Sequence, residues 1–519
     1  MFRKNHIVKI NLPGGIIAAG DLYTIVEAAE RAKVPDMQFG ARQQLYCKVA
    51  DRYGSVFFRE LEQAGIFFET EKETHPNIIS SYVTESVFGK SQWISEGLYK
   101  DILAGFDFRP RLKINLVESS QSLIPFFTGH LNFVSSAVNN HWHLYVRRPG
   151  TNDMYGWKTG VYSPDISRLS RLIEQHLLSS MAEPDAADHA GGASHPDAAN
   201  HPGAAGHLVA NTPHRDCGVN WGELLFAAVR SRGLIPDGPI LPTLQLPSFN
   251  VPYYEGFNRY GNKSWLGIYR REELFPLPFL KTVSLICLQT KIGQLYTTPW
   301  KSLLIKDIEE PDLPLWEFAL GKFRMNIRHA SGELNWQMED FCPEGLRLKR
   351  YLVRLLDQDD IRTEGLTFSI KTRRGSGLSG SVIIRKQEVI RPGQLKLLDR
   401  YEIWHTAGFN PHSKDYILFR KDLEKENIFP YLVSLCKEFY QLQNQQDPIV
   451  TPAANATVAE KVVYSCRHCL TQYDQQYGDP ESGIRPGTSF EQVSPDYSCP
   501  LCGGPKADFR RLEKSTAIH

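Results

Sequence analysis

Two hydrophobic periods organise this chain. In GGIIAAGDLYTIVEAAERAKVPDMQFGARQQLYCKV, Leu22, Ile25, Val26 and Ala29 recur three and four apart, which predicts a helix with one buried face. Beyond it Leu45, Cys47 and Val49 alternate with Tyr46 and Lys48, which predicts a strand. A glycine-bearing turn opens the stretch. The second half repeats this order in EELFPLPFLKTVSLICLQTKIGQLYTTPWKSLLIKDI. The chain therefore reads as two blocks of similar size, about residues 8–180 and 218–443, related by duplication at a period far longer than a solenoid repeat. In His141-Trp142-His143, alternation puts both histidines on one face of a strand, where hydrogen-bonded imidazoles are the preferred reading over a metal or haem site. The glycine-rich RRGSGLSGSV, Arg373 to Val382, fits no phosphate-loop pattern; a hairpin turn is preferred over an anion cradle of backbone amides.

The pattern fails in two places. Residues 182–216 are built from Ala, Gly, Pro, Asp and His, with His189, His195, His201 and His207 six apart. Such a segment buries too little apolar surface to offset its ordering entropy, and it reads as a flexible linker rather than a metal-collecting tract. Residues 444–460, NQQDPIVTPAANATVAE, read as a second linker. A flexible linker of that length spans roughly 20–25 Å.

A length of 519 residues implies several domains. Hydrophobic residues at 42% and charged residues at 23% are those of a soluble globular protein, and 59 Lys+Arg nearly cancel 58 Asp+Glu. No basic excess points to nucleic acid. The opening MFRKNHIVKINLPGG has no apolar run of the secretory kind, and the longest apolar stretches, such as Val283 to Leu288, are too short to cross a bilayer. The expectation is a cytoplasmic protein with no membrane partner.

Nine cysteines are unevenly placed. Cys47, Cys217, Cys287, Cys342 and Cys436 are scattered and read as buried free thiols. Cys466 with Cys469, and Cys499 with Cys502, form two CxxC pairs separated by 29 residues. Each pair can fold as a tight knuckle, bringing four sulfurs to the corners of a tetrahedron. That geometry suits iron or zinc, and spacing alone does not choose between them.

The run GDPESGIRPGTSFEQVSPDYSCPLCGGPKADF resembles rubredoxins, which carry GDP, GI.PGT.F and CP.CG..K..F in this order and spacing. The resemblance implies one iron ion, Fe3+/Fe2+, held by Cys466, Cys469, Cys499 and Cys502. It also implies an aromatic core of Tyr464, Tyr473, Phe490, Tyr497 and Phe509. Two positions depart from the family: Leu470 stands where glycine is usual, and Tyr497 where tryptophan is usual.

The larger region carries a second resemblance. PGGIIAAGDLYTIVEAAERA, then FGARQQLYCKV, then FFRELEQAGI, is similar to the ferredoxin-like half-domain of assimilatory nitrite and sulfite reductases. In that family a GG turn, a helix and a TxRQ-type strand recur about a pseudo-twofold axis, and basic residues there meet the carboxylates of sirohaem. Gly40-Ala41-Arg42-Gln43 matches the first such position and Thr298-Pro299-Trp300-Lys301 the second, so Arg42, Gln43 and Lys301 are candidate anion or tetrapyrrole contacts. The implied fold class is α+β: a duplicated nitrite/sulfite reductase-like body with pseudo-twofold repeats, plus a small C-terminal rubredoxin fold with a short antiparallel sheet and two metal knuckles. The implied division is 8–72 and 218–312 as half-domains, 73–181 and 313–443 as α/β domains, 182–216 and 444–460 as linkers, and 461–512 as the rubredoxin domain. The family also holds a [4Fe-4S] cluster and the sirohaem iron through two cysteine pairs, spaced by five and three residues. Those pairs are missing here, so no [4Fe-4S] cluster is expected, and sirohaem stays an open candidate cofactor.

Three functions follow from this reading. The first is a one-electron carrier with redox partner proteins, among them a nitrite or sulfite reductase. The second is a divergent sirohaem or haem reductase with a built-in rubredoxin donor. The third is a zinc-stabilised non-redox scaffold.

Overall fold

The computed structural model describes residues 5–70, 73–85, 87–89, 93–182, 220–373, 377–387, 399–413, 415–446, 463–468, 471–475, 478–479, 482–485, 487–500 and 502–512. The histidine repeat and most of the second linker lie outside these residues, as do Cys217, Cys469 and Leu470. The chain divides into two compact units, Met1–Leu442 and Gln443–His519.

The larger unit begins with β1 (Asn5–Ile10), β2 (Ile16–Ala18), α1 (Ala19–Arg31), β3 (Asp36–Phe39), β4 (Leu45–Ala50), α2 (Asp51–Gln63) and β5 (Phe68–Thr70). It continues through β6 (Ile79–Ser80), α3 (Glu96–Ala104), β7 (Ile114–Val117), β8 (Leu131–Ser135), β9 (His141–Arg147), β10 (Met154–Gly156), β11 (Val161–Tyr162) and α4 (Ile166–Ala182). After α5 (Trp221–Arg230) come β12 (Gly256–Tyr260), β13 (Lys263–Ile268), β14 (Phe275–Pro276), α6 (Leu277–Gln289), β15 (Gln294–Thr297), β16 (Leu303–Ile308) and α7 (Leu313–Lys322). The unit closes with α8 (Ser331–Leu334), β17 (Trp336–Met338), α9 (Pro343–Gln358), β18 (Phe368–Lys371), β19 (Val382–Gln387), β20 (Arg400–Thr406), β21 (Tyr416–Leu423) and α10 (Ile428–Gln446).

The helix and strand expected from periodicity are present. α1 buries Leu22, Ile25, Val26 and Ala29, while β4 buries Leu45, Cys47 and Val49 and exposes Lys48. The duplication is visible as two five-stranded sheets, ordered β14-β3-β4-β1-β5 and β2-β15-β16-β13-β12. Each sheet takes its outermost strand from the other repeat: Phe275 pairs Met37, and Ile17 pairs Leu295. Strand exchange therefore ties the halves into one core, in which Leu22, Val26, Leu280 and Val283 from the facing helices α1 and α6 are fully buried.

A second duplicated pair of sheets follows, each built from strands of its own half. Strands β6, β7 and β8 run parallel and β9 antiparallel, with β10 and β11 both on β9; β17, β18 and β19 run parallel, with β20 and β21 antiparallel. β18 and β19 are parallel neighbours, so Arg373 to Val382 lies in a connection between parallel strands and not in the hairpin that its glycines suggest. His141 and His143 sit half-exposed on β9 with Trp142 buried between them, and His141 Nδ1 lies 2.8 Å from the carbonyl of Asn139.

The smaller unit holds β22 (Val463–Cys466), β23 (Gln472–Asp474) and β24 (Phe509–Leu512) in an antiparallel sheet ordered β23-β22-β24. No helix among the described residues is long and apolar enough to cross a membrane.

Candidate metal centre and body cleft

In the smaller unit β22 ends at Cys466, where the chain turns back so that the Cys466 amide donates to the carbonyl of Thr471 at 2.8 Å. The second turn closes in the same way, Cys499 N to Gly504 O at 2.7 Å. Two matching knuckles thus present their sulfurs to one point. The sulfurs of Cys466, Cys499 and Cys502 all lie within 4.8 Å of one another, Cys466 and Cys502 at 3.6 Å. Three convergent thiols are a soft donor set of the kind that holds iron or zinc. The fourth expected ligand, Cys469, is outside the described residues.

An aromatic shell covers the sulfurs of Cys466 and Cys499. Tyr473, Phe490, Tyr497 and Phe509 are buried with Cys466 and Cys499, and Tyr464 packs against them. Phe490 is the hub, with ring centroids 4.3 Å from Tyr464 and 5.1 Å from both Tyr473 and Phe509. Tyr497, which replaces the usual tryptophan, donates its hydroxyl to Asp479 at 2.9 Å. A closely packed apolar shell limits solvent reorganisation when the metal changes charge.

The larger unit contains a cleft of about 420 Å³. It is lined by the turn between β3 and β4, by the loops leaving parallel strands β7 and β18, and by residues 337–341. The lining from the second sheet lies at the carboxyl ends of β17 and β18, whereas Ile79, Lys113 and Thr128 lie at the amino ends of β6, β7 and β8. Arg42 reaches the cleft from the turn, anchored by the carbonyls of Asn77 at 2.8 Å and Ile114 at 3.0 Å. Burial, with Arg147 as a like charge nearby, lowers its pKa to about 10. Lys113 lines the same cleft, and its pKa is lowered by burial and by Arg42. Lys371 falls to about 8 through burial, with Arg385 and Arg147 adding to the effect. His130 is held down to about 3 by burial, Arg147, Lys113 and Arg42.

Among the described residues no carboxylate forms an ion pair with Arg42, Lys113, Arg147 or Lys371. Glu73 is with Lys9, and Glu339 accepts from the amides of Thr372 and Arg373. Carboxylates nevertheless share the wall: Glu73 partly offsets the lowered pKa of Arg42 and Lys113, Glu339 does so for Lys371, and Asp340 lines the cleft as well.

The other two candidate contacts lie differently. Gln43 is fully buried: its amide nitrogen donates to Thr297 O at 2.8 Å, and its oxygen accepts from Ser80 N at 2.9 Å. Lys301 is buried beside Glu273 at 2.8 Å and Asp340 at 3.3 Å. Burial opposes its charge, but the two carboxylates outweigh this and hold it protonated. The two residues occupy equivalent turns, each with positive φ, 61° and 58°. They tie the repeats together beneath the cleft. Lys113, Arg147, His130 and Lys371 escape sequence reasoning because they come from strand ends scattered over the chain. The signal available was a basic residue beside each central strand of the two α/β sheets.

A tetrapyrrole of the sirohaem kind would bring carboxylates and an iron. The cleft suits the carboxylates, through Arg42 and Lys113 on its wall. Among the described residues lining it, none is Cys, His or Met, so the usual nitrogen and sulfur ligands of a tetrapyrrole iron are not on this wall. The scattered thiols lie on separate elements: Cys47 on β4, Cys287 on α6, Cys342 capping α9 and Cys436 on α10. Burial pushes Cys47, Cys287 and Cys436 up to about 12, so they remain protonated.

Paired knuckles, convergent thiols and an aromatic shell define a small one-metal thiolate protein joined to a duplicated α+β body. Residues 463–509 match the rubredoxin family model. Rubredoxin 4 of Rhodococcus sp. (strain Q15) is 45% identical over 51 residues, which cover 85% of that protein and 10% of this chain. The rubredoxin of Acinetobacter baylyi is 44% identical over 50 residues, covering 93% of its length and 10% of this chain. Through this segment the chain belongs to the rubredoxin family. The NirA protein of Mycobacterium tuberculosis shares the overall fold, with a TM-score of 0.58 at 13% identity over 84% of this chain and 81% of that one. A span of that size requires the larger unit, which therefore has a NirA-like fold, consistent with the nitrite/sulfite reductase-like architecture expected from the sequence.

Proposed function

We propose that the protein carries single electrons through one iron held by Cys466, Cys469, Cys499 and Cys502, and that it serves nitrite or sulfite reduction. The observation carrying this reading is the convergence of three family thiols, two of them buried in an aromatic cluster. The reaction is outer-sphere: the ferric centre gains one electron to become ferrous, with no bond broken and no proton required. The four thiolates stay in place, so reorganisation is small. The donor and acceptor are redox proteins. An anaerobic reductive titration of the full-length protein tests this, with one electron taken up per chain expected. Uptake of none would support the zinc scaffold in its place.

Arg42 and Lys113 on the cleft wall favour a second reading, in which the body holds an anionic tetrapyrrole and the rubredoxin segment supplies its electrons. Such a group would bring reductive chemistry at its own iron. Arg42 and Lys113 would hold its carboxylates, while Gln43 and Lys301 brace the turns beneath. Expression in a host that makes sirohaem decides between the readings. Tetrapyrrole absorption that is lost in Arg42→Met supports the second; its absence in the wild type leaves the carrier alone.

A further inference from the structure

We infer that the larger unit binds a small carboxylate with an apolar chain in a groove on its first repeat.

The groove has a volume of about 380 Å³ and, among the described residues, shares no lining residue with the cleft that Arg42 reaches. It is lined by β2 and α1, by the chain leaving α2, by residues 75–78, and by the end of α3 with the turn beyond it. Leu12, Ile17, Ile25 and Ile78 on this lining are buried. Ile16, Ile66, Phe67, Leu103, Phe106 and Phe108 are not, and each stays half-exposed around the same concavity. The rings of Phe106 and Phe108 lie with centroids 5.7 Å apart. Contiguous apolar surface lining a concavity of ligand size marks a binding groove, because a core would have closed over it.

Charge on the lining selects the ligand. Asp21, His75 and Arg109 are the ionisable side chains among the described lining residues. His75 is paired, its Nδ1 lying 2.8 Å from Glu69 Oε1. Asp21 stands in the first turn of α1, where the free amides of the helix end stabilise a carboxylate. Arg109 has no such support. Its guanidinium carbon lies 3.8 Å from the centroid of the Phe67 ring, and among the described residues it makes no ion pair or hydrogen bond. Asp107, two residues away, is taken by Arg171, which itself lies over the ring of Phe108. Stacking on Phe67 holds the Arg109 guanidinium beside apolar surface, and its planar fork matches a carboxylate. A carboxylate with an apolar chain meets both features at once: the chain covers the phenylalanines and the head pairs with Arg109.

The test is calorimetric titration of the full-length protein with octanoate, octanol and octylammonium, each below its micellar concentration. One saturable site per chain is expected for octanoate, with octylammonium bound at least about tenfold more weakly. Arg109→Met should weaken octanoate by about tenfold or more while leaving octanol within about twofold. Ala64→Trp, which places a large ring on the lining, should remove binding of both. Arg109 and Ala64 are exposed, so neither change disturbs the core. Excess citrate, an anion with no apolar chain, should leave octanoate binding unchanged; displacement by citrate would place octanoate in the cleft and overturn the inference. Absence of saturable octanoate binding, octylammonium bound as tightly as octanoate, or equal octanoate binding by the wild type and Arg109→Met overturns it as well.

Discussion

At the scale of single residues, the thiols divide by environment. Cys499 converges with Cys466 and Cys502, whereas Cys342 caps α9 and accepts from the Gly345 amide at 3.3 Å. Cys499→Ser is expected to abolish bound iron by metal analysis, while Cys342→Ser retains one iron per chain. Lys371 ends β18, two residues before Arg373 of the cleft wall, and burial brings its pKa down to about 8 from an ordinary 10.5. The unfolded chain keeps the proton longer, so this group destabilises the empty fold below about pH 8, and the penalty disappears as pH rises towards 10.5. A bound anion favours the protonated form. Citrate affinity measured by calorimetry should therefore fall as pH rises through about 8, and Lys371→Met should weaken binding and flatten that dependence. The convergence of Cys466, Cys499 and Cys502 could be expected from the sequence because CxxC spacing and the residues between are local. The cleft could not: Arg42 was visible in its turn motif, but Lys113, Arg147 and Lys371 are brought together only by the tertiary fold.

At the scale of elements, the exchanged strands fasten the repeats. Phe275 is fully buried in β14, its ring 4.8 Å from that of Phe39 in the opposite repeat. Phe275→Ala is expected to cost about 3–5 kcal/mol in denaturant unfolding of the larger unit. A loss below about 1 kcal/mol would mean that strand exchange contributes little. The helix and strand followed from periodicity, since α1 buries one face and β4 buries Leu45, Cys47 and Val49, with Tyr46 buried from the other face as well. The exchange itself did not, because β2 and β14 are only three and two residues long and carry no readable alternation. Arg373 to Val382 misled for a related reason. Glycines mark a turn, but whether the chain returns antiparallel or enters a parallel neighbour depends on the sheet that receives it.

At the scale of the whole molecule, the chain joins a duplicated α+β body to a rubredoxin segment. Two compact units are expected to unfold separately. Calorimetry of the iron-loaded protein should show two transitions, and an iron chelator should lower the midpoint of only one. A single transition that moves as a whole with chelator would show the units to be energetically inseparable. The measurement closest to the central claim is metal analysis of the purified full-length protein with absorption spectra before and after dithionite. One iron per chain, with tetrathiolate charge-transfer bands that bleach on reduction and return on reoxidation, is the predicted result. A colourless protein that remains colourless after iron reconstitution, with zinc in the site, would contradict it.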